Sequence, residues 1–186
     1  MENIIKIKKL YALKNIDRAN SVKNRKESSA EHSWSCLILA DYFLSKIKQK
    51  LDRVKVYELL MYHDTVEIEA EDSPLNPEKE RTGQHEKEAV AMEKLSREIP
   101  DPKFGKKIKE FFHEFEENKT PEAKFANAID KLDAIIQEID YKKDWKGWSE
   151  TFLRKEKEKY FEEFPEIKEA FDQIMAEMTK QGYFSQ

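Results

Sequence analysis

The sequence predicts an all-α protein, and three observations support this fold class. Charged residues make up 39% of the 186 residues, whereas the chain has only 4 glycines and 6 prolines. This balance is typical of long solvated helices rather than of a turn-rich sheet. Apolar residues also recur every three to four positions, which is the period of an amphipathic helix. We expect about seven to eight helices in a compact bundle, with residues 1–186 forming one domain.

Capping residues and prolines predict the helix boundaries in the N-terminal half. The expected helices cover about residues 3–14, 28–50, 53–71 and 83–98, with a polar loop at 15–27. Ser28 and Glu31 form the S-x-x-E signature of a capping box, so the second helix should begin there. Asp72-Ser73-Pro74 should end the third helix, because the residue before a proline avoids the helical conformation.

Prolines also divide the C-terminal half. The expected helices cover about residues 103–117, 121–141, 150–163 and 166–180. Pro100 and Pro102 precede the first of these, and Pro165 separates the last two. Pro121 follows Thr120 at the first helical position, where its missing N–H is not needed.

Charge and cysteine content limit the classes of function. The 34 basic and 38 acidic residues leave a net charge of −4, so no global basic field is present for a nucleic-acid polymer or an anionic membrane. The single cysteine, Cys36, excludes an intramolecular disulfide. No signal peptide and no apolar run of roughly 18 residues is evident. We therefore expect a cytoplasmic protein with small-molecule partners.

Ionisable residues interrupt the apolar face of the third expected helix. Val56, Leu59 and Leu60 form a stripe in which His63 takes the next core position. Glu67 lies one turn later on the same stripe, and Asp64 lies beside it. Such groups in a core need partners or a function, because burying an unpaired charge is costly.

A second buried acid is predicted in the helix expected over residues 121–141. Its main stripe consists of Phe125, Ile129, Leu132 and Ile136. Asp130 lies on another face among Ala123, Ala126 and Ala134, small residues that allow a neighbouring helix to approach closely. A bound cation would offset the cost of burying this carboxylate.

His32, in the opening turns of the second helix, completes a set of two imidazoles and two carboxylates with His63, Asp64 and Asp130. Such nitrogen and oxygen ligands suit a divalent ion such as Mn, Co, Fe, Zn or Mg. A metal of this kind acidifies water and polarises phosphoryl oxygens, which indicates a hydrolytic site. Each residue also has a structural alternative. His32 could be an ordinary helix-start histidine, and Glu67 could pair with a lysine.

The order H…HD…D, carried by EHSW (31–34), YHDTVE (62–67) and FANAIDKLDA (125–134), resembles that of the HD-domain metal-dependent phosphohydrolases. More narrowly, the sequence resembles the YfbR-like 5′-deoxynucleotidase branch. Four patterns carry this resemblance: LKNIDR (13–18), ESSAEHSW (27–34), HDTVEIEAED (63–72) and KTPEAKFANAIDKLDA (119–134). They cover about residues 10–145 and leave the C-terminal helices, about 150–180, outside the match.

The resemblance implies a helical homodimer that uses a divalent metal to remove the 5′-phosphate of deoxynucleoside monophosphates. The implied roles are metal ligation by His32, His63, Asp64 and Asp130, acid–base chemistry by Glu67, phosphate binding by Arg18 and sugar binding by Asp72. Two departures affect substrate choice. Arg18 is followed by Ala19-Asn20-Ser21, where the family usually has a tryptophan, and Glu71 stands where a glycine is common.

Two alternatives remain at the level of the sequence. The same fold could hydrolyse another phosphorylated metabolite or a nucleoside di- or triphosphate. A nonenzymatic module that binds a metal or nucleotide belongs to a different class, and Glu67 argues against it because a pure binder needs no acid–base group. Arg18 could also be a surface cation, and Asp72 could simply mark the end of its helix.

Overall fold

The computed structural model describes residues 2–77 and 83–184. The all-α prediction is confirmed, since the described residues contain seven α-helices of eight or more residues beside one two-stranded sheet. The α-helices are α1 (Glu2–Lys6), α2 (Ser29–Leu44), α3 (Arg53–Tyr62), α4 (Glu67–Ala70), α5 (Gln84–Glu98), α6 (Pro102–Glu117), α7 (Pro121–Glu138), α8 (Glu150–Lys157) and α9 (Pro165–Lys180). Short 3-10 helices cover Ile7–Asn15, Lys142–Trp145 and Glu158–Tyr160.

The helix starts that were predicted from caps agree with the structure. The Ser28 hydroxyl accepts the Glu31 N–H, and the Glu31 carboxylate accepts the Ser28 N–H in return. Thr120 caps α7 through the Ala123 N–H at 3.2 Å. Two helices end earlier than predicted. Helix α2 ends at Leu44 rather than near residue 50, and α7 ends at Glu138 rather than near residue 141.

One prediction for the N-terminal part holds only in part, and another is wrong. The expected helix over residues 3–14 is α-helical only in α1 and then tightens into a 3-10 helix that buries Leu13. The polar segment expected as a loop forms an antiparallel hairpin of β1 (Asp17–Val22) and β2 (Arg25–Ser28). Its residues are mostly polar, so the alternation of apolar and polar residues that signals a strand is missing.

The single helix expected over residues 53–71 is divided into α3 and α4. The Thr65 N–H and hydroxyl both bond to the Tyr62 carbonyl, at 3.1 and 2.7 Å, in place of a bond one residue further back. The Glu67 N–H likewise bonds to the Asp64 carbonyl. These shorter-range bonds form a turn at residues 63–66, and His63 and Asp64 lie on this turn.

Helix α7 lies at the centre of the molecule, in contact with α2, α3, α6 and α9. Phe125, Ile129 and Leu132 are fully buried as expected, and so are the small residues Ala123 and Ala126. Ile136 is 38% exposed, so its prediction as a core residue is wrong. In the described residues, every helix is too short or too polar to cross a membrane.

Candidate metal centre and substrate cleft

Four ionisable side chains from three parts of the chain meet beside α7. His32 comes from α2, His63 and Asp64 come from the turn after α3, and Asp130 comes from α7. His32 Nε2 lies 3.0 Å from Asp130 Oδ1 and 3.9 Å from Asp64 Oδ2. His63 Nε2 lies 3.1 Å from Asp64 Oδ1 and 4.0 Å from Asp130 Oδ1. The structure therefore brings together all four residues that the sequence analysis selected as ligands.

One nitrogen of His63 is buried without a hydrogen-bond partner in the described part of the chain, and it indicates whether this cluster fits a cation. His63 Nδ1 donates to the Leu60 carbonyl at 2.9 Å, which leaves Nε2 as the acceptor nitrogen of a neutral ring. Nε2 is buried and has no hydrogen-bond partner. Burial lowers the pKa of His63, which favours the neutral, metal-binding form. A divalent cation among these nitrogen and oxygen donors would satisfy the nitrogen, so the residues fit a metal.

A second carboxylate on α7 orients His32, and the sequence analysis missed it. His32 Nδ1 donates to Asp133 Oδ2 at 2.9 Å, so Nε2 is the atom that faces the cluster. A carboxylate behind a ligating histidine fixes the tautomer and the ring orientation. Asp133 follows Asp130 by three positions, and this helical spacing was the available signal. The fully buried Cys36 stays a thiol beside His32, because burial raises its pKa to about 12.

The Asp130 carboxylate is ionised within this cluster. Burial acts to raise the pKa of Asp130, but the Lys131 ammonium and the His32 hydrogen bond hold it well below its ordinary value. Lys131 Nζ donates to Asp130 Oδ2 at 2.5 Å. Lys131 is thus a further charged group of the site that the sequence analysis did not select.

The β-hairpin places Arg18 against the cluster. Arg18 Nη1 donates to Asp64 Oδ2 at 2.9 Å, and Arg18 Nε lies 3.6 Å from Glu27 Oε2 on the paired strand. Burial acts to lower the pKa of Arg18, but Asp64 and Asp130 raise it, so the guanidinium stays charged. Glu27 is 1% exposed, and burial raises its pKa to about 6. Sequence reasoning missed Glu27 because it read this segment as a loop.

Glu67 lies at the start of α4, buried beside the cluster. Its Oε2 atom accepts the Ser29 hydroxyl at 2.5 Å, and the residue is 8% exposed. Burial raises the pKa of Glu67 to about 9, and the charges of Asp64 and Asp72 act in the same direction. In the metal-free protein, burial thus favours the protonated form of this carboxyl group, which is the form that a general acid requires.

A sequence profile described as HD domain matches residues 10–168, which is most of the chain. The chain belongs to the HD-domain family. A 5′-deoxynucleotidase of Xenopus laevis is 27% identical over 115 residues, which cover 62% of this chain and 55% of that protein. A 5′-deoxynucleotidase of Schizosaccharomyces pombe is 27% identical over 124 residues, or 65% and 61% of the two chains. The present chain thus spans between half and two-thirds of the length of these relatives.

Solved structures show the same fold. A predicted metal-dependent phosphohydrolase from Magnetospirillum magnetotacticum MS-1 has a TM-score of 0.86 at 22% identity, over 98% of this chain and 96% of that one. A conserved hypothetical protein from Pyrococcus furiosus has a TM-score of 0.67 at 26% identity, over 95% and 99% of the two chains.

A cleft of about 500 Å³ opens beside this cluster of His32, His63, Asp64 and Asp130, and Asp130 lines it. The residues that line the cleft include Arg18, Asp72, Asp130, Glu138 and Trp148. Asp72 is half-buried at the cleft, where a sugar-binding role was expected for it. Glu71 is exposed and has a φ of 63°, a backbone conformation that favours glycine, the residue that the resemblance led us to expect there.

Proposed function

We propose that this HD-domain protein is a metal-dependent phosphomonoesterase that releases phosphate from (deoxy)nucleoside 5′-monophosphates. One observation carries the proposal: the buried Nε2 of His63 has no hydrogen-bond partner among the described residues and lies in a cluster with His32, Asp64 and Asp130, of which Asp130 lines a cleft. The relatives named 5′-deoxynucleotidases support the choice of substrate class.

In this proposal His32, His63, Asp64 and Asp130 hold the divalent ion, which is Mn, Co, Fe, Zn or Mg. Such an ion acidifies water and polarises the phosphoryl oxygens. Burial acts to lower the pKa of His32, but hydrogen bonds to Asp130 and Asp133 hold it well above its ordinary value, so binding of the ion would displace the Nε2 proton. Asp133 would then hold His32 in the tautomer that presents Nε2 to the ion. Lys131 keeps Asp130 ionised, as a ligand must be.

The remaining residues bind the substrate and move the proton. Arg18 offers its guanidinium N–H groups to the phosphate, and Asp72 accepts a sugar hydroxyl. Because Oε2 of Glu67 accepts the Ser29 hydroxyl, Oε1 is left to carry the proton. Glu67 gives this proton to the 5′-oxygen as the P–O bond breaks, and it recovers a proton from the water whose oxygen joins phosphorus.

A phosphate-release screen tests the proposed substrate class. Purified protein with Mn, Co, Zn or Mg would be given dAMP, AMP, dATP and a short oligonucleotide. We expect kcat/KM to be about tenfold or more higher for the monophosphates, because the cleft of about 500 Å³, which hairpin residues Arg18, Ala19 and Asn20 help to line, is suited to a small substrate. A preference for the oligonucleotide would overturn the proposal, and a preference for dATP would favour the triphosphatase alternative. Metal-loaded protein that releases no phosphate would indicate the nonenzymatic alternative.

We also propose that the protein is a homodimer that pairs through the outer face of α2. Trp34, Ile38 and Tyr42 lie one turn apart on this face and are 65%, 56% and 56% exposed. Next to them is an apolar groove that includes Tyr11 and Met61. A continuous apolar stripe of this kind is typical of a protein–protein interface.

Replacing Trp34 by Glu is expected to convert the dimer into a monomer, because a charge at the centre of an apolar interface would lose its water without gaining a partner. Sedimentation velocity measures this change. Val90→Glu, at a 71% exposed position on α5, is the matched control and should stay dimeric. A wild-type protein that sediments as a monomer at micromolar concentration would contradict the assignment.

A further inference from the structure

Helix α7 connects the metal cluster with another pair of carboxyl groups along the same cleft. Asp130, Ala134 and Glu138 all line the cleft at intervals of four residues. Eight residues of α-helix separate the two acids by roughly 12 Å along the axis. This separation is comparable to the extent of a nucleoside monophosphate from its phosphorus to the edge of its base.

The hairpin fixes the carboxyl groups of Glu138 and Asp144 next to one another. Glu138 is 8% exposed, and its Oε2 atom accepts the Ser21 N–H at 2.9 Å. Asp144 Oδ2 accepts the Ser21 hydroxyl at 2.6 Å. Burial raises the pKa of Glu138 to about 7, and the hydrogen bond with Asp144 acts in the same direction. The hydrogen bonds from Ser21 and Glu138 lower the pKa of Asp144, so the pair keeps at least one ionised carboxylate at the cleft.

Flat and apolar side chains stand beside this pair. The buried Trp145 donates its Nε1 hydrogen to the Glu138 carbonyl at 3.0 Å. Trp148 packs edge to face on Trp145, with ring centroids 5.6 Å apart, and both rings line the cleft. Pro74 and Leu75 also line it. None of these residues has a part in the phosphate chemistry described above.

We propose that Glu138 and Asp144 form a subsite that reads the base of the nucleotide and favours guanine over thymine. This inference rests on the proposed function. Guanine has a ring N–H and an exocyclic amine side by side, and a carboxylate can accept from both. The ring N–H of thymine lies between two carbonyl oxygens, which would face the carboxylate oxygens and be repelled. The tryptophan rings supply the apolar surface against which a base packs.

Steady-state kinetics with dGMP and dTMP tests the subsite. In the wild type we expect kcat/KM to favour dGMP by about 10- to 100-fold, the range of one bidentate contact to a base. Glu138→Gln keeps the acceptor for the Ser21 N–H but presents an amide that no longer repels the thymine carbonyls, so the dGMP preference should fall about tenfold, with lower kcat/KM for dGMP and higher kcat/KM for dTMP. Asp144→Asn, at an exposed position, should act in the same direction.

Gln137→Ala is the matched control, because Gln137 Nε2 donates to the Ser21 carbonyl at 2.7 Å and thus anchors the same hairpin. It should leave the dGMP preference intact. An equal loss with both nucleotides in Glu138→Gln would mean that Glu138 only anchors the hairpin and would refute the subsite. Equal kcat/KM for dGMP and dTMP in the wild type would refute it as well.

Two further measurements separate this inference from the proposed function. Hydrolysis of 4-nitrophenyl phosphate, which has no base, reports the phosphomonoesterase alone. If this ester is hydrolysed and the bases are not distinguished, the subsite is refuted and the function stands. If no ester is hydrolysed, the function fails, and calorimetric binding of dGMP against dTMP decides the subsite without turnover.

Discussion

Asp64→Asn is expected to remove metal and activity together. Asp64 lies 3.1 Å from the orphaned nitrogen of His63, and its other oxygen accepts from Arg18 at 2.9 Å. An amide is a weaker ligand, and it cannot neutralise the guanidinium. We expect metal affinity to fall by more than about 100-fold, the upper end of the effect of residues that only orient ligands.

Elemental analysis measures the loss of metal, and a phosphate-release assay measures the loss of activity. Chelation of the wild type should likewise abolish turnover, and adding back Mn or Co should restore it. Asp140→Asn changes the same chemical group at an exposed position just after α7, so it should keep full metal and activity. Full metal occupancy in Asp64→Asn, or turnover by metal-free wild type, would refute the proposed centre.

Glu67→Gln is expected to keep the metal and lose turnover by about 10²- to 10⁴-fold, the usual scale for general acid–base catalysis. The amide preserves the size of the side chain and can still accept the Ser29 hydroxyl, but it has no proton to transfer. Single-turnover kinetics with metal-loaded protein isolates the chemical step. Glu110→Gln makes the same change at an exposed position on α6 and is the matched control, which should keep full turnover. Near wild-type activity in Glu67→Gln would end its assignment as the acid–base residue.

The same variant has a readout that does not depend on activity. The pKa of Glu67 is raised from 4.5 to about 9, first by burial, so the folded protein binds a proton that the unfolded chain has released. The free energy of unfolding of the metal-free wild type should therefore decrease as the pH rises from 4.5 to about 9. Glu67→Gln has no such proton, so its melting temperature should decrease less than that of the wild type between these pH values.

Local signals predicted the helix starts because a cap involves only neighbouring residues. Ser28 with Glu31 and Thr120 with Pro121 began their helices where expected. The hairpin was missed because its stability comes from distant contacts. Asn20 donates to the Ala134 carbonyl at 2.8 Å, and Gln137 donates to the Ser21 carbonyl at 2.7 Å. No pattern within residues 15–27 encodes those partners.

The candidate site likewise contains residues that the sequence revealed and residues that only the structure revealed. His63 was found from the sequence because it breaks an apolar stripe, and Asp130 because small residues flank it on a helix that was expected to be buried on two sides. Glu27 was missed because its role depends on its partner Arg18. Asp133 was missed because its spacing from Asp130 becomes informative only once His32 is known to lie beside α7.

The sequence by itself thus determined the helical class, the helix starts and the residue types of the centre, because these follow from periodicity, capping and the cost of buried charge. Only the tertiary structure decided that residues 63–66 form a turn and that the hairpin lies against α7. These features bring Arg18 to Asp64 and place Glu138 beside Asp144 in the cleft. The physical reason is distance along the chain. Ser21 and Glu138 are 117 residues apart, and their contact stabilises the fold only after α7 has packed in the core.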